Sequence, residues 1–235
     1  MPQSRNLAKL QKPQAAKVIK FKNSSLTEAL PVLPEFYARD PRRVAPELLG
    51  KILVRGEGRK VRAGRIVEVE AYLGMDDAAA HAASGRTKRN EVLFGPPGRA
   101  YVYFIYGFHY CLNVSCEPDG VAGGILFRAL EPLLGVDEMY AARDLDQDHG
   151  RITELRLLTS GPGRLAEALT ITRERDNGKD LTSPRSDLQI VSDGFTPEKV
   201  AVTPRIGIKK AEHELLRYVI AGNPFVSGKK IATKV

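Results

Sequence analysis

The chain has 235 residues, is 43% hydrophobic, and carries a formal net charge of +8 with a sequence pI near 9.5. That length predicts one large domain with a sizeable core. The basic balance predicts an anionic partner, with nucleic acid ahead of a membrane surface or small acidic substrates. No stretch approaches the ~20 apolar residues of a membrane span, and the N-terminus has no continuous apolar core of the secretory kind. Two cysteines, Cys111 and Cys116, make no disulfide framework and are expected as buried free thiols in a reducing compartment. The expected location is the cytoplasm or nucleoid of a bacterium, or the nucleus of a eukaryote.

Residues 1–27 hold Arg5, Lys9, Lys12, Lys17, Lys20 and Lys22 and no acid, which predicts a flexible basic arm ahead of a domain over residues 28–235. A short helix is expected around Pro41–Leu49, ended by Gly50. Ile52–Val54 and Arg62–Tyr72 read as strands around a turn at Gly56–Lys60. Gly74–Asn90 is small and polar, hence a loop, with a helical turn at Asp76–His81. Beyond the breaker Gly95-Pro-Pro-Gly98, Ala100–Ile105 and Tyr110–Cys116 read as strands joined by a bend at Tyr106-Gly107. Gly124–Leu130 is a further strand, Gly135–Arg143 has a helical period, and Asp144–Arg151 is a polar loop. Ser160-Gly-Pro-Gly163 opens a helix to about Leu169, with Ser160 as its cap. Val200–Val202, Ile206–Ile208 and Leu216–Ile220 are late strands. Many strands joined by short turns predict an α+β fold, a single mixed domain around a mainly antiparallel sheet.

Strict alternation along Arg65–Tyr72 puts Ile66, Glu68, Glu70 and Tyr72 on one face and Val67, Val69 and Ala71 on the other. The valine face would pack on the core. Two carboxylates on one face repel if both are buried, so one has a raised pKa or an arginine partner. A positioned carboxylate within reach of a water is what a general base requires; an ordinary exposed strand face fits the same residues. The run Tyr101-Val-Tyr-Phe-Ile-Tyr106 is aromatic on both sides. It fits a buried central strand with satisfied hydroxyls, or a stacking wall with Tyr106 protruding as a wedge. His81, His109, Cys111 and Cys116 lack the spacing of a zinc site, and no Cys-x-x-Cys is present. There is no Walker loop, dinucleotide fingerprint or nucleophile elbow.

Several segments, in order, resemble the alkyladenine (methylpurine, 3-methyladenine) DNA glycosylase family. They are Gly64-Arg-Ile-Val-Glu-Val-Glu-Ala-Tyr-Leu-Gly74, Asp77-Ala-Ala-Ala-His81, Arg89-Asn90, Tyr101-Val-Tyr-Phe-Ile-Tyr-Gly107, Cys111-Leu-Asn113, Leu126-Phe-Arg-Ala-Leu-Glu-Pro132, Ser160-Gly-Pro162 and Arg205-Ile-Gly207. The resemblance implies a curved sheet, and a protruding β-hairpin that enters the DNA minor groove. It implies hydrolysis of the N-glycosidic bond of alkylated or deaminated purines in double-stranded DNA, with no metal or organic cofactor and no lyase step. Glu70 corresponds to the general base, and Arg128 and the Ile206 carbonyl to groups that hold the attacking water. Tyr72, His81 and Tyr103 correspond to the walls around a flipped base, and Asn113 to the residue that rejects the 2-amino group of guanine. Tyr106 corresponds to the side chain that fills the gap in the stack. Arg164 and Arg173 fall where the family places phosphate contacts. A monomer is the default expectation.

Two other classes fit parts of the pattern: a damaged-DNA binder without turnover, and an N-ribosyl hydrolase acting on RNA or free nucleosides. Contacts to duplex phosphates release counterions on binding. Activity that falls steeply with added salt therefore marks a nucleic-acid substrate, and activity indifferent to salt marks a small one.

Overall fold

The computed structural model describes residues 29–145 and 152–228. The basic arm and residues 146–151 of the polar loop lie outside the described residues. In chain order the elements are β1 (Leu30–Pro31), α1 (Pro34–Tyr37), α2 (Pro41–Leu48), β2 (Ile52–Glu57) and β3 (Lys60–Tyr72). Two 3-10 turns follow, Gly74–Asp76 and Glu91–Phe94, and then β4 (Ala100–Ile105), β5 (His109–Ser115) and β6 (Gly124–Leu134). The rest comprises α3 (Val136–Ala142), α4 (Ile152–Thr159), α5 (Pro162–Ala168), α6 (Arg173–Asp176), β7 (Leu188–Ser192), β8 (Val200–Thr203) and β9 (Arg217–Ile220).

The strands form one antiparallel sheet in the order β1-β7-β2-β3-β6-β5-β4. β9 pairs with β3 along Glu68–Glu70, and β8 pairs with β9. The sheet curls into a half-barrel, so the expected α+β architecture is the one found. Its core face carries Val69 and Ala71 of β3, Val102 of β4, Leu112 and Val114 of β5, and Ile125 and Phe127 of β6. Against them pack Leu48 of α2, Tyr140 of α3, and Leu165 and Ala168 of α5. Alternation then sends Glu70, Tyr72, Tyr101, Tyr103, Cys111, Asn113, Leu126 and Arg128 to the opposite face. Both cysteines are free and buried, Cys116 in the core. Among the described residues no helix is long and apolar enough to cross a membrane.

The alternation is not strict. Ile66 pairs with Leu130, Glu68 with Ala129, and Val69 with Phe127, so an irregularity on β3 is followed at once by one on β6. Each such bulge shifts side-chain parity by one residue. Ile66, expected beside the glutamates, therefore joins Val69 and Ala71 in the core, and Val67 packs instead with Ala129 and Phe225. Glu68 and Glu70 stay together, but both are fully buried, which rules out an exposed strand face.

Other differences have local causes. The β2–β3 turn narrows to two residues, because Gly56 and Lys60 already pair across it with Val61 and Glu57. The helical turn of the 74–90 loop sits at Gly74–Asp76, not Asp76–His81. Gly74 has φ of +75°, and a Cβ there would come within 2.0 Å of the Ala122 carbonyl oxygen, so only glycine fits. Ser160 is not the cap of α5; that position belongs to Gly161, and the Ser160 hydroxyl donates to the Phe225 carbonyl. Ile206–Ile208 is a loop, for a reason given below. Helices α4 and α6 and strand β7 were not expected.

Strand β2 is tied to α6 by a buried cation. Arg55, with a fully buried side chain, donates to Asp176 at 2.6 Å, to Asp187 at 3.1 Å and to the Leu169 carbonyl at 3.2 Å. Asp176 is fully buried too and also meets Lys179 at 2.8 Å. Removing one partner of a buried pair strands the other charge. Arg55→Leu is expected to lower unfolding stability by roughly 3–5 kcal/mol, and adding Asp176→Asn to recover part of it. Urea unfolding measures both; a loss below ~1 kcal/mol for Arg55→Leu counts against the pair as a buried tie.

Candidate active site

The sheet face opposite the core bounds a cavity of about 450 Å³, lined among others by Tyr72, His81, Tyr103, Asn113, Arg128, Arg164 and Ile206. Tyr106 and His109 of the hairpin line it as well. The structure thus brings together most of the residues singled out from the sequence.

Glu70 lies one layer behind this wall. Its Oε1 accepts the Ile206 N–H at 2.8 Å and faces Arg128 Nη1 at 3.2 Å; its Oε2 accepts the Tyr72 hydroxyl at 2.9 Å. Burial pushes the Glu70 carboxyl above the ordinary glutamate value, and Arg128, the Ile206 amide and the Tyr72 hydroxyl pull it partly back. Glu68, two residues earlier, takes four donors: Arg128 Nε at 2.8 Å, Arg217 Nε at 2.7 Å, the Ser227 N–H at 2.6 Å and the Ser227 hydroxyl at 2.9 Å. An ionised carboxylate offers about four acceptor sites. Of the four donors on Glu68, three fall on Oε1 and one on Oε2, whereas three groups reach Glu70, with only the Tyr72 hydroxyl on Oε2.

Arg128 also reaches back to the Ile206 carbonyl, which accepts from Nη1 at 3.5 Å. This explains why Ile206 is not in a strand. Its N–H goes to the Glu70 carboxylate and its C=O to the Arg128 guanidinium, so neither is free to pair with a neighbouring strand. Gly207 beside it takes φ of +81°.

The aromatic side is braced separately. His81 Nδ1 lies 2.8 Å from the Tyr101 hydroxyl, and its ring meets that of Tyr103 edge to face at 4.4 Å between centroids. Partial burial and the Arg89 charge hold the His81 imidazole below its usual pKa, which keeps it neutral at pH 7. Burial pushes the Tyr103 hydroxyl well above the usual tyrosine range. Asn113 is buried and donates to the Tyr101 carbonyl at 3.2 Å.

The β4–β5 hairpin turns at Tyr106-Gly107, with the Phe108 N–H donating to the Ile105 carbonyl. Tyr106 has φ of +54°, uncommon for an aromatic residue. Its side chain is 73% exposed, and Phe108 and Phe104 beside it are 69% and 46% exposed. Such strain persists where the surroundings hold it, often at functional sites. Arg164 is exposed in the first turn of α5 and donates to the Ser160 carbonyl at 3.4 Å. Arg173 opens α6, exposed, and does not line the cavity.

Four further residues carry the site without having been assigned a part in it. Tyr101 anchors His81. Asn90 donates to the carbonyls of His81 and Gly85 at 2.9 and 3.0 Å and so shapes the loop behind His81. Asp77 and Arg205 form a buried pair beside Tyr72. Asn90, Asp77 and Arg205 stand inside the family-like motifs, which was the signal available for them. Among the described residues no group of three or more His, Cys, Asp or Glu side chains could hold a metal ion.

A buried carboxylate–guanidinium cluster thus lies behind an aromatic cavity, on a basic protein with an exposed aromatic hairpin. A profile of one family, methylpurine-DNA glycosylase (MPG), matches residues 35–224. A protein of Koribacter versatilis named "Putative 3-methyladenine DNA glycosylase" is 65% identical over 207 residues, covering 88% of this chain and 98% of that protein. One of the same name from Burkholderia cenocepacia is 48% identical over 194 residues, covering 82% and 89%. The chain belongs to the methylpurine-DNA glycosylase family, and with it to the DNA glycosylases of DNA repair.

The Glu70 environment has a direct test. Its carboxyl is expected to titrate above the ordinary glutamate value. Tyr72→Phe keeps the ring but removes one donor to the ionised form, so the midpoint moves higher still. Carbon-13 NMR of labelled glutamates reads both shifts. A Glu70 midpoint at or below the ordinary value overturns this picture of its burial.

Proposed function

We propose that the protein excises alkylated or deaminated purines from double-stranded DNA with a water activated by Glu70, leaving an abasic site. One observation carries the reading: Tyr72, Arg128 and Ile206, the three residues that hold Glu70, all line the cavity. A purine extruded from the duplex enters between the rings of Tyr72 and Tyr103, with His81 at its side. Electron-rich faces favour cationic alkylated bases, and a damaged or poorly paired base costs less to unstack. Asn113 limits what the purine edge can carry, discriminating against the 2-amino group of guanine.

For a water to meet Glu70, it takes the place of the Tyr72 hydroxyl on Oε2. Arg128 and the Ile206 carbonyl then orient it toward the sugar C1′. The carboxylate is ionised through Arg128 and accepts the proton as the bond to the base breaks. Before that transfer, its negative charge favours the developing oxocarbenium ion. The reaction is hydrolysis of the N-glycosidic bond, without strand cleavage.

On the DNA, the hairpin tip enters the minor groove and Tyr106 fills the gap left in the stack, where base–aromatic stacking contributes about 1–3 kcal/mol. Arg164 and Arg173 take backbone phosphates, and the basic arm of residues 1–27 precedes a glycosylase domain over 28–235. The protein acts as a monomer. Its bacterial relatives favour the nucleoid as its place of work.

Single-turnover base release from a duplex with one hypoxanthine or ethenoadenine, beside alkylated genomic DNA, tests this reading. Release is expected from at least one substrate. Glu70→Gln is expected to cut its rate by about 10²–10⁴-fold while lesion binding persists. Release that survives Glu70→Gln sinks the assignment of the base. No release anywhere, with tight lesion binding, makes the protein a damaged-DNA binder.

A further inference from the structure

Residues 204–208 belong to no helix or strand, yet Ile206 in this stretch gives its N–H to Glu70 and its carbonyl to Arg128. Something has to hold the stretch in place. The residue immediately before Ile206 does so. Arg205 has a fully buried side chain. Its guanidinium donates to both oxygens of Asp77, at 2.9 Å from Nη2 to Oδ1, and to the Ala71 carbonyl at 3.0 Å. A bidentate guanidinium–carboxylate pair fixes orientation as well as distance. Asp77 is itself anchored, accepting the N–H of Leu73 at 3.2 Å and of Ala79 at 3.0 Å. Burial alone would raise the Asp77 carboxyl, but Arg205 and these amides outweigh it and hold it below the ordinary aspartate value.

The same guanidinium carbon lies 4.6 Å from the centroid of the Tyr72 ring. Arg205 therefore touches the ring of one residue that holds Glu70 and is the chain neighbour of a second. It does not line the cavity, and neither does Asp77.

We propose that Asp77 and Arg205 are a positioning pair that sets the Ile206 amide and carbonyl and the Tyr72 ring around Glu70, and so governs the rate of base release without touching DNA. The proposal rests on the role given to Glu70 above. Two expectations distinguish it from a plain structural tie. First, loss of the pair loosens the Ile206 amide locally. Second, the ionised form of Glu70 loses a donor, so the carboxyl rises and the acid limb of the rate profile moves to higher pH. The sign follows because only the ionised form accepts the proton.

The test uses the full chain with Arg205→Gln, Arg205→Lys, Asp77→Asn and the Arg205→Gln/Asp77→Asn double variant. Small misplacements of catalytic groups cost up to about 100-fold in rate. A fall of ~10–100-fold in the single-turnover rate constant is expected for Arg205→Gln and Asp77→Asn, with lesion-duplex Kd within about threefold. Arg205→Lys, with a cation but no fork, is expected between Arg205→Gln and the unaltered protein. The double variant is expected no worse than the more impaired single one, because the two residues act as a unit. Hydrogen exchange at the Ile206 amide should quicken in every variant, while amides of β4 and β5 keep their protection.

Unchanged rates overturn the proposal. So does a rate loss with the acid limb and Ile206 exchange unmoved, or exchange that rises across the whole sheet. Exchange at Ile206 is read whether or not a base is released. A protein that releases no base from any duplex therefore refutes the proposed reaction, while the exchange result still decides whether the pair holds Ile206.

Discussion

Two carboxylates, Glu68 and Glu70, are buried on the same side of one strand, and the structure around the cavity is organised by what that requires. An ionised group taken out of water costs several kcal/mol unless it is paired and hydrogen-bonded, and two of them at this spacing repel. Arg128 on the neighbouring strand meets both, Glu68 through Nε and Glu70 through Nη1. One guanidinium cannot supply enough donors. The rest come from segments distant in sequence: Arg217 of β9, the backbone and hydroxyl of Ser227, and the amide of Ile206. Strand β9 pairs with β3 along Glu68–Glu70, so the last part of the described chain closes over these two side chains.

The two glutamates end up unequal. Glu68 takes four donors and pairs with two guanidiniums, those of Arg128 and Arg217. Glu70 shares Arg128, has a lighter set of donors, and is held above the usual carboxyl pKa by burial. A carboxylate with a higher pKa is a stronger base. In the proposed reaction the pair separates an anchoring carboxylate from a reactive one, and that difference comes from the donors on each, since residue type and strand face are the same. Including Asp77, three buried carboxylates meet three guanidiniums, those of Arg128, Arg205 and Arg217. The interior of the site is therefore balanced, and the excess positive charge of the chain lies elsewhere.

The sequence made the repeating part of this legible. Residues of β4 and β5 alternate cleanly, so the shared side of Tyr101 and Tyr103 follows from period two, and the bend from Tyr106-Gly107 between the two strand-like runs. Glu68, Glu70 and Tyr72 were also grouped correctly, but Ile66 was not, because paired bulges shift the parity between Ile66 and Val69. Nothing in a run of Ile, Val and Glu announces a bulge. Ile206–Ile208 has the composition of a strand and is not one, since its backbone is bound by side chains that a local window does not contain. Arg205 and Asp77 stand 128 positions apart, as far beyond any periodicity as Glu68 and Ser227, 159 apart. The family-like motifs flagged Asp77 and Arg205 but gave them no partner. β7 is five residues long and was passed over, although Leu188 and Ile190 do alternate toward the core.

The hairpin adds a geometric constraint of its own. Tyr103, Cys111 and Asn113 form part of the cavity wall, and Tyr106 stands three residues beyond Tyr103 on the same strand and turn. A strand advances about 3.3 Å per residue, so wall and tip are separated by roughly 10 Å through backbone that is hydrogen-bonded on both sides of the hairpin. In the proposed reaction, the space a base leaves and the space it enters are set by that single ruler. Tyr106 can then hold its left-handed backbone, at a cost of order 1–3 kcal/mol, because the ladder from Ile105 to His109 fixes the turn on either side. In that reaction, Tyr106 as wedge and Tyr103 as wall share one ladder. A substitution that loosens the turn would therefore act at both ends, on the hold over the gap in the stack and on the fit of the base against Tyr103.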